Sequence, residues 1–174
     1  MRNFEERLKG GHPNSLGNTV EIVEEVLDDH TKFDELFNCY FSTDEVVRLR
    51  VSNAMKRICK AEKQLLLPYL DRFLSEIATI QQPSTQWTLS QLFRMLVKNM
   101  NEQQTQRAKN IMKNNLANHS DWIVLTQTME TLSKWSKKDT ILQVWLLPHL
   151  ERLSNDSRKS VARKAQKQLE YLNI

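Results

Sequence analysis

Apolar residues recur at steps of three and four along most of this chain. Val47, Val51, Ala54, Met55 and Ile58 form one such stripe. Leu89, Phe93, Leu96 and Met100 form a second, and Leu125, Met129 and Leu132 a third. That spacing is the buried face of an α-helix. Cap signals divide the pattern into elements. A short helix near 2–9 is followed by the loop GGHPNS. A helix over 18–28 opens at Asn18 with Glu21 three residues on, and another covers 31–41. A helix over 44–60 opens on the capping box Ser42–Glu45. One over 63–80 carries Pro68 in its first half, where proline is tolerated only near a start or with a bend. After the loop QQPST come 85–99, then 102–118 capped by Asn101, 121–137 capped by Ser120, 140–154 capped by Asp139, and 156–172. Pairing neighbours gives four full antiparallel hairpins over about 31–172 plus a shorter N-terminal pair. The expectation is a single all-α domain spanning 1–174.

One phrase occurs twice. LLLPYLDRFL at 65–74 and WLLPHLERLS at 145–154 align on Pro68 and Pro148, 80 residues apart. The aligned pairs are Leu66/Leu146, Leu67/Leu147, Leu70/Leu150, Asp71/Glu151, Arg72/Arg152 and Phe73/Leu153. An interval of that length matches two helical hairpins of about 40 residues each. The second helix of the first full hairpin reads Val47-Arg48-Leu-Arg-Val51-Ser-Asn-Ala54-Met55, with small or apolar residues three and six positions after Arg48. Leu-Pro-x-Leu stands in two first helices, at Pro68 and Pro148. In these residues the chain resembles the HEAT/armadillo-type helical repeat family over about 31–172. The arginine position holds Arg48 and Arg158 in the first and last hairpins, and Ser90 and Thr126 in the middle two. The resemblance implies a right-handed α-α superhelix, a short HEAT-like solenoid displaying a concave surface of second helices. The tetratricopeptide pattern fits worse, because it needs a glycine that this chain lacks.

Composition changes the picture by exclusion. The only glycines are Gly10, Gly11 and Gly17, so neither a phosphate-cradling loop nor a dinucleotide fingerprint is present. No apolar run reaches the ~18 residues that a membrane-spanning helix needs. The opening MRNFEERLKGG has acidic residues where a signal peptide needs an apolar stretch, and a cytoplasmic protein is expected. Cys39 and Cys59 sit among apolar neighbours and read as buried small hydrophobes, with a redox pair as the alternative.

Charge is unevenly placed. Residues 1–90 hold 11 Lys/Arg against 14 Asp/Glu, a net of −3, and residues 91–174 hold 14 against 7, a net of +7. Glu21, Glu24, Glu25, Asp28, Asp29, Asp34 and Glu35 crowd one end. Arg158, Lys159, Arg163, Lys164 and Lys167 crowd the last helix, where Lys159, Arg163 and Lys167 are four apart and share a face. Terminal helices of a repeat array need polar outer faces, which accounts for much of this. Basic residues also gather toward the C-terminal halves of the second helices: Lys56, Arg57 and Lys60; Arg94 and Lys98; Lys134, Lys137 and Lys138; Lys164 and Lys167. Cations there complement the helix dipole by ~0.3–1 kcal/mol each. Stacked side by side, they would also form a basic ladder suited to an acidic peptide or a phosphate backbone.

Catalytic chemistry finds little support. His12, His30, His119 and His149 have no metal-ligand spacing, and no nucleophilic triad can be argued from these positions. No cofactor and no metal are expected. Trp87 and Trp122, near the starts of consecutive second helices, read as core, and Trp135 and Trp145 more plainly so. The leading expectation is a non-enzymatic interaction module that presents Arg48, Arg94, Lys134, Arg158, Lys159, Arg163 and Lys167 to a protein partner with an acidic segment. A nucleic-acid-backbone binder is the first alternative. The HEAT-like alkylpurine-DNA glycosylases resemble this chain at the level of fold, and Asp121 and Trp122 would be the candidates for their acidic and aromatic roles. A regulatory or assembly subunit docking on one enzyme is the second.

Overall fold

The computed structural model describes residues 3–173, and among these it is all-helical. Ten α-helices follow one another: α1 (Phe4–Leu8), α2 (Thr19–Asp28), α3 (Phe33–Asn38), α4 (Glu45–Glu62), α5 (Leu70–Ser75), α6 (Pro83–Leu96), α7 (Glu102–Asn118), α8 (Trp122–Ser136), α9 (Thr140–Ser154) and α10 (Lys159–Tyr171). Contacts cluster into two compact units, 1–88 and 89–174, with the boundary inside α6. That boundary is also the charge divide. No charged residue lies at 89 or 90, so the N-terminal unit carries the −3 and the C-terminal unit the +7. No helix among the described residues is long and apolar enough to cross a membrane.

In the N-terminal unit, α4 packs against α1, α2 and α3. It buries Val47, Val51, Ala54, Met55 and Ile58, the stripe legible in the sequence. Its cap is Asp44, whose side chain accepts from the Val46 N–H. Ser42 instead accepts from the Asp44 N–H and donates to Glu5, so the expected Ser42–Glu45 box does not form. An aromatic cluster of Phe33, Phe37, Tyr40, Tyr69 and Phe73 fills the space beside it, with the Arg72 guanidinium 4.5 Å from the Phe37 ring centre. Cys39 and Cys59 are buried free thiols. Burial pushes them up to about 12 and about 11, which leaves them protonated and unreactive at neutral pH.

Arg50 is the exception on the buried face of α4. It is 2% exposed and reaches into the glycine-bearing loop between α1 and α2. Its Nη1 donates to the carbonyls of Leu8 and Gly10, both at 2.6 Å, Nε to Ser15 at 3.2 Å and Nη2 to His12 at 3.3 Å. Gly17 closes the cage with φ +51°, and a Cβ there would lie 3.0 Å from Arg50 Cζ and Nη1. Both the backbone conformation and the fixed guanidinium oppose a side chain at that position. Gly17→Ala should therefore lower stability by about 1–2 kcal/mol, measured as a lower urea midpoint at an unchanged slope.

The expected helix over 63–80 is broken. Two 3₁₀ turns, Lys63–Leu65 and Leu67–Tyr69, precede α5, and a third, Ile77–Thr79, follows it. Pro68 lacks an N–H and its ring crowds the carbonyl four residues back, so the α-helical ladder restarts only at Leu70. Pro148, in the second copy of the phrase, lies inside the continuous α9. The side chains nonetheless keep their roles. Leu66 and Leu146, Leu70 and Leu150, and Phe73 and Leu153 are all buried, while both prolines face solvent.

In the C-terminal unit α8 packs against α7, α9 and α10, and α9 against α10. Its core combines Leu92, Phe93 and Leu96 with Met112, Leu116, Leu125, Met129, Leu132, Leu146 and Leu150. Small polar residues let α6 and α8 approach. Ser90 Oγ lies 3.0 Å from the Gln127 carbonyl, and Thr131 Oγ1 donates to the Ser90 carbonyl at 2.9 Å. Asn101 caps α7 as read, in a capping box completed by Gln104, and Asp139 caps α9. The α8 cap is Asp121, one residue later than expected. Its carboxylate accepts from the Ile123 and Val124 N–H groups, so the one candidate acid of a glycosylase-like site is engaged in capping.

Candidate functional site: a basic trough in the C-terminal unit

Basic helix ends of the C-terminal unit converge on three adjoining clefts. The largest, about 460 Å³, lies between α6, α7 and α8. Its walls include Arg94, Lys98, Lys109, Lys134 and Lys138, opposed by one carboxylate, Asp139, and the side chains of Val97 and Trp135 form apolar lining. Lys134 also lines a second cleft of about 250 Å³ with Lys164, Lys167, Glu130 and Tyr171. Lys109 and Asp139 also line a third, of about 120 Å³, with Lys113 and Ile141. The trough formed by the three carries eight cationic side chains and two carboxylates. Low-dielectric walls of one sign focus the field and attract oppositely charged ligands.

Glu130, on α8, organises the middle of the trough. One carboxylate oxygen accepts from Arg94 Nη1 at 2.6 Å and from Lys134 at 3.3 Å, and the other from Lys164 at 2.6 Å. Arg94 is completed by Gln127 at 2.9 Å and Thr131 at 3.1 Å. Burial alone would raise the Glu130 carboxyl. The Lys164 hydrogen bond and the charges of Arg94 and Lys164 outweigh it and hold the group at about 2. Burial works against the Arg94 charge more than Glu130 supports it, but a guanidinium stays protonated at any ordinary pH, so the pH dependence lies with Glu130. A carboxyl depressed from 4.5 to about 2 contributes stability that is fully present above pH 4.5 and is lost as pH falls toward 2, by about 3 kcal/mol at most. Urea midpoints should fall over that window, and less steeply in Glu130→Gln than in the parent chain.

The remaining cations differ in how free they are. Lys109 is held by Asp139 at 2.7 Å. Lys113 sits 4.8 Å from the Trp145 ring centre and Lys137 4.6 Å from that of Tyr171. Lys98, Lys138 and Lys167 are exposed, and no ion pair is formed by them among the described residues.

The residues singled out in the sequence divide between the trough and elsewhere. Arg94, Lys134 and Lys167 line it. Lys159 and Arg163 are exposed on the same face of α10 and continue from Lys167 toward the helix start. Arg48 belongs to the N-terminal unit and is tied to Gln82 Oε1 and the Ser42 carbonyl, both at 2.6 Å. Arg158 precedes α10, paired with Asp156 and donating to the Ser120 carbonyl. Arg48 and Arg158 thus each hold a residue just ahead of another helix, Gln82 before α6 and Ser120 before α8. The tryptophans correct the expectation of burial. Trp122 is 50% exposed, because it is the first residue of α8 and lies beyond its packed turns. Trp87, Trp135 and Trp145 are only partly buried, Trp135 because it flanks the largest cleft. Sequence reasoning missed Lys109 and Lys113 by looking only to second helices. Thr105, Lys109 and Lys113 are spaced by four along α7, which was the available signal.

Comparison with known proteins finds no family model, no curated protein and no solved structure that matches this chain.

Proposed function

We propose that the chain is a non-enzymatic protein-interaction module whose basic trough takes an acidic segment of a protein partner. The single observation that carries this reading is the trough itself, with eight cations, two carboxylates and an apolar wall of Val97 and Trp135 gathered in one unit. In this reading the helix pairs are HEAT-like hairpins stacked as a right-handed superhelix in a cytoplasmic protein. The second helices α6, α8 and α10 supply most of the contacts and the first helix α7 the rest.

Two features favour a peptide over a nucleic-acid backbone. The free cations are lysines, whereas Arg94 is already committed to Glu130, and bidentate arginine is the better phosphate reader. The trough also retains Asp139 and Glu130, which would repel a continuous run of phosphates but can alternate with the apolar residues of a peptide. The test is fluorescence anisotropy on the full chain with a labelled 20-residue glutamate-rich peptide and a labelled 20-nucleotide oligo-dT, from 50 to 200 mM salt. The reading expects the peptide to bind tighter at every salt concentration. Tighter oligonucleotide binding with a steep loss against salt would replace it by the nucleic-acid reading.

A further inference from the structure

One surface of the C-terminal unit is left over. Helix α9 has two apolar stripes. Leu142, Leu146, Leu150 and Leu153 face inward and are buried. On the outer face stand Ile141, 84% exposed, Val144, 67% exposed, the partly buried Trp145 and the exposed Pro148. Their spacing of i, i+3, i+4 and i+7 is one side of a helix, about 10 Å long at 1.5 Å per residue. Single exposed apolar residues are ordinary, but an aligned set of four is the pattern of a helix that packs on both sides. The His149 ring lies 4.2 Å from that of Trp145. Burial, helped by Arg152 and Lys113, lowers its pKa, so it is neutral at pH 7 and adds no charge to the stripe.

The stripe begins where the trough ends. Ile141 lines the third cleft with Lys109 and Lys113, and the Lys113 ammonium lies over the Trp145 ring. Apolar surface beside cations complements apolar residues beside carboxylates. We propose that the outer face of α9 is the docking site for an acidic amphipathic helix of a protein partner. Apolar residues of that helix at i, i+3, i+4 and i+7 seat on Ile141, Val144 and Trp145, with its flanking carboxylates on Lys109 and Lys113. Trp145 is the anchor, as large aromatics are in helix-on-surface interfaces. This deepens the proposed function, since it rests on the same partner entering the trough with its acidic residues.

Two labelled peptides of equal composition separate the claims. In one, leucines share a helix face opposite glutamates; in the other they are scattered around the helix. Each is titrated against the full chain, an Ile141→Ser/Val144→Ser variant and a Lys98→Glu/Lys138→Glu variant. All four replaced side chains are exposed, so both variants should fold. The amphipathic peptide should bind the parent at least tenfold tighter than the scattered one, and the α9 variant should abolish that advantage. Equal affinities, or an advantage that survives in the α9 variant, overturn the inference and leave the trough reading in place. Affinities that ignore the lysine reversal overturn the trough reading, while the α9 comparison still decides the inference. Dimerisation by light scattering that is lost in the α9 variant would assign the face to a second copy and also overturn it.

Discussion

Replacing Arg50 by methionine is expected to lower the unfolding free energy by about 3 kcal/mol and to release the loop between α1 and α2. The guanidinium donates to four loop carbonyls, those of Leu8, Gly10, His12 and Ser15, and shares that of His12 with the Ser15 N–H. No carboxylate among the described residues pairs with it. Bonds from a charged donor are worth about 1.5–3 kcal/mol each. The loop residues are largely exposed, so water can recover part of the loss, and about two such bonds set the scale. Methionine fills the space of the aliphatic stem and removes only the fork, which isolates the hydrogen bonding from the packing. Arg50→Lys keeps the charge but not the planar fork, and should fall between the two. Urea unfolding gives the energies, and trypsin cleavage after Lys9 reports whether the loop has come free. An unchanged midpoint with the loop still protected would mean that α1 and α2 hold the segment without Arg50.

Reversing Lys98 and Lys138 to glutamate is expected to weaken binding of a glutamate-rich peptide about 100-fold without changing stability. Both side chains border the largest cleft, both are exposed, and neither forms an ion pair among the described residues. Each reversal removes one attraction and introduces one repulsion. At contact distance such a term is ~1 kcal/mol in water and more beside a protein wall. Two sites give four such terms, which salt screening cuts to about 3 kcal/mol in all, or roughly two decades in affinity. The loss should shrink as salt rises, because these rim charges are screened within ~10 Å at 0.1 M. Reversing Lys56 and Lys60 on α4 makes the same change of net charge in the other unit. It should have little effect if the trough and not overall charge carries the binding.

Much of this was legible in the chain. Helices α7 and α9 begin and end where the periodicity and the caps Asn101 and Asp139 put them. The twice-written phrase holds equivalent buried positions in both copies. Failures came where a local signal had a competitor. Ser42-Thr-Asp-Glu45 contains two eligible caps, and Asp44 won because Ser42 was drawn to Glu5 across 37 residues of chain. Pro68 in mid-helix called for a nearby start or a bend, and the segment before it closed into 3₁₀ turns so that the α-helix starts only at Leu70. Arg50 stood in view at i+3 from Val47 and i−4 from Ala54, on the apolar stripe itself. The repeat pattern drew attention to Arg48 instead, and a buried arginine is recognisable only once the carbonyls around it are placed. The site was half legible. Arg94, Lys134 and Lys167 converge, whereas Lys109 and Lys113 approach from a first helix, a convergence that depends on tertiary packing rather than on spacing.

The most direct measurement is lysine footprinting of the full chain by acetylation and mass spectrometry, with and without the glutamate-rich peptide. Protection should concentrate on Lys98, Lys134, Lys138, Lys164 and Lys167, extending to Lys109 and Lys113 with the amphipathic peptide, while Lys9, Lys32, Lys56, Lys60 and Lys63 react as before. Uniform protection, or protection confined to the lysines of the N-terminal unit, would contradict the assignment of the trough as the binding surface.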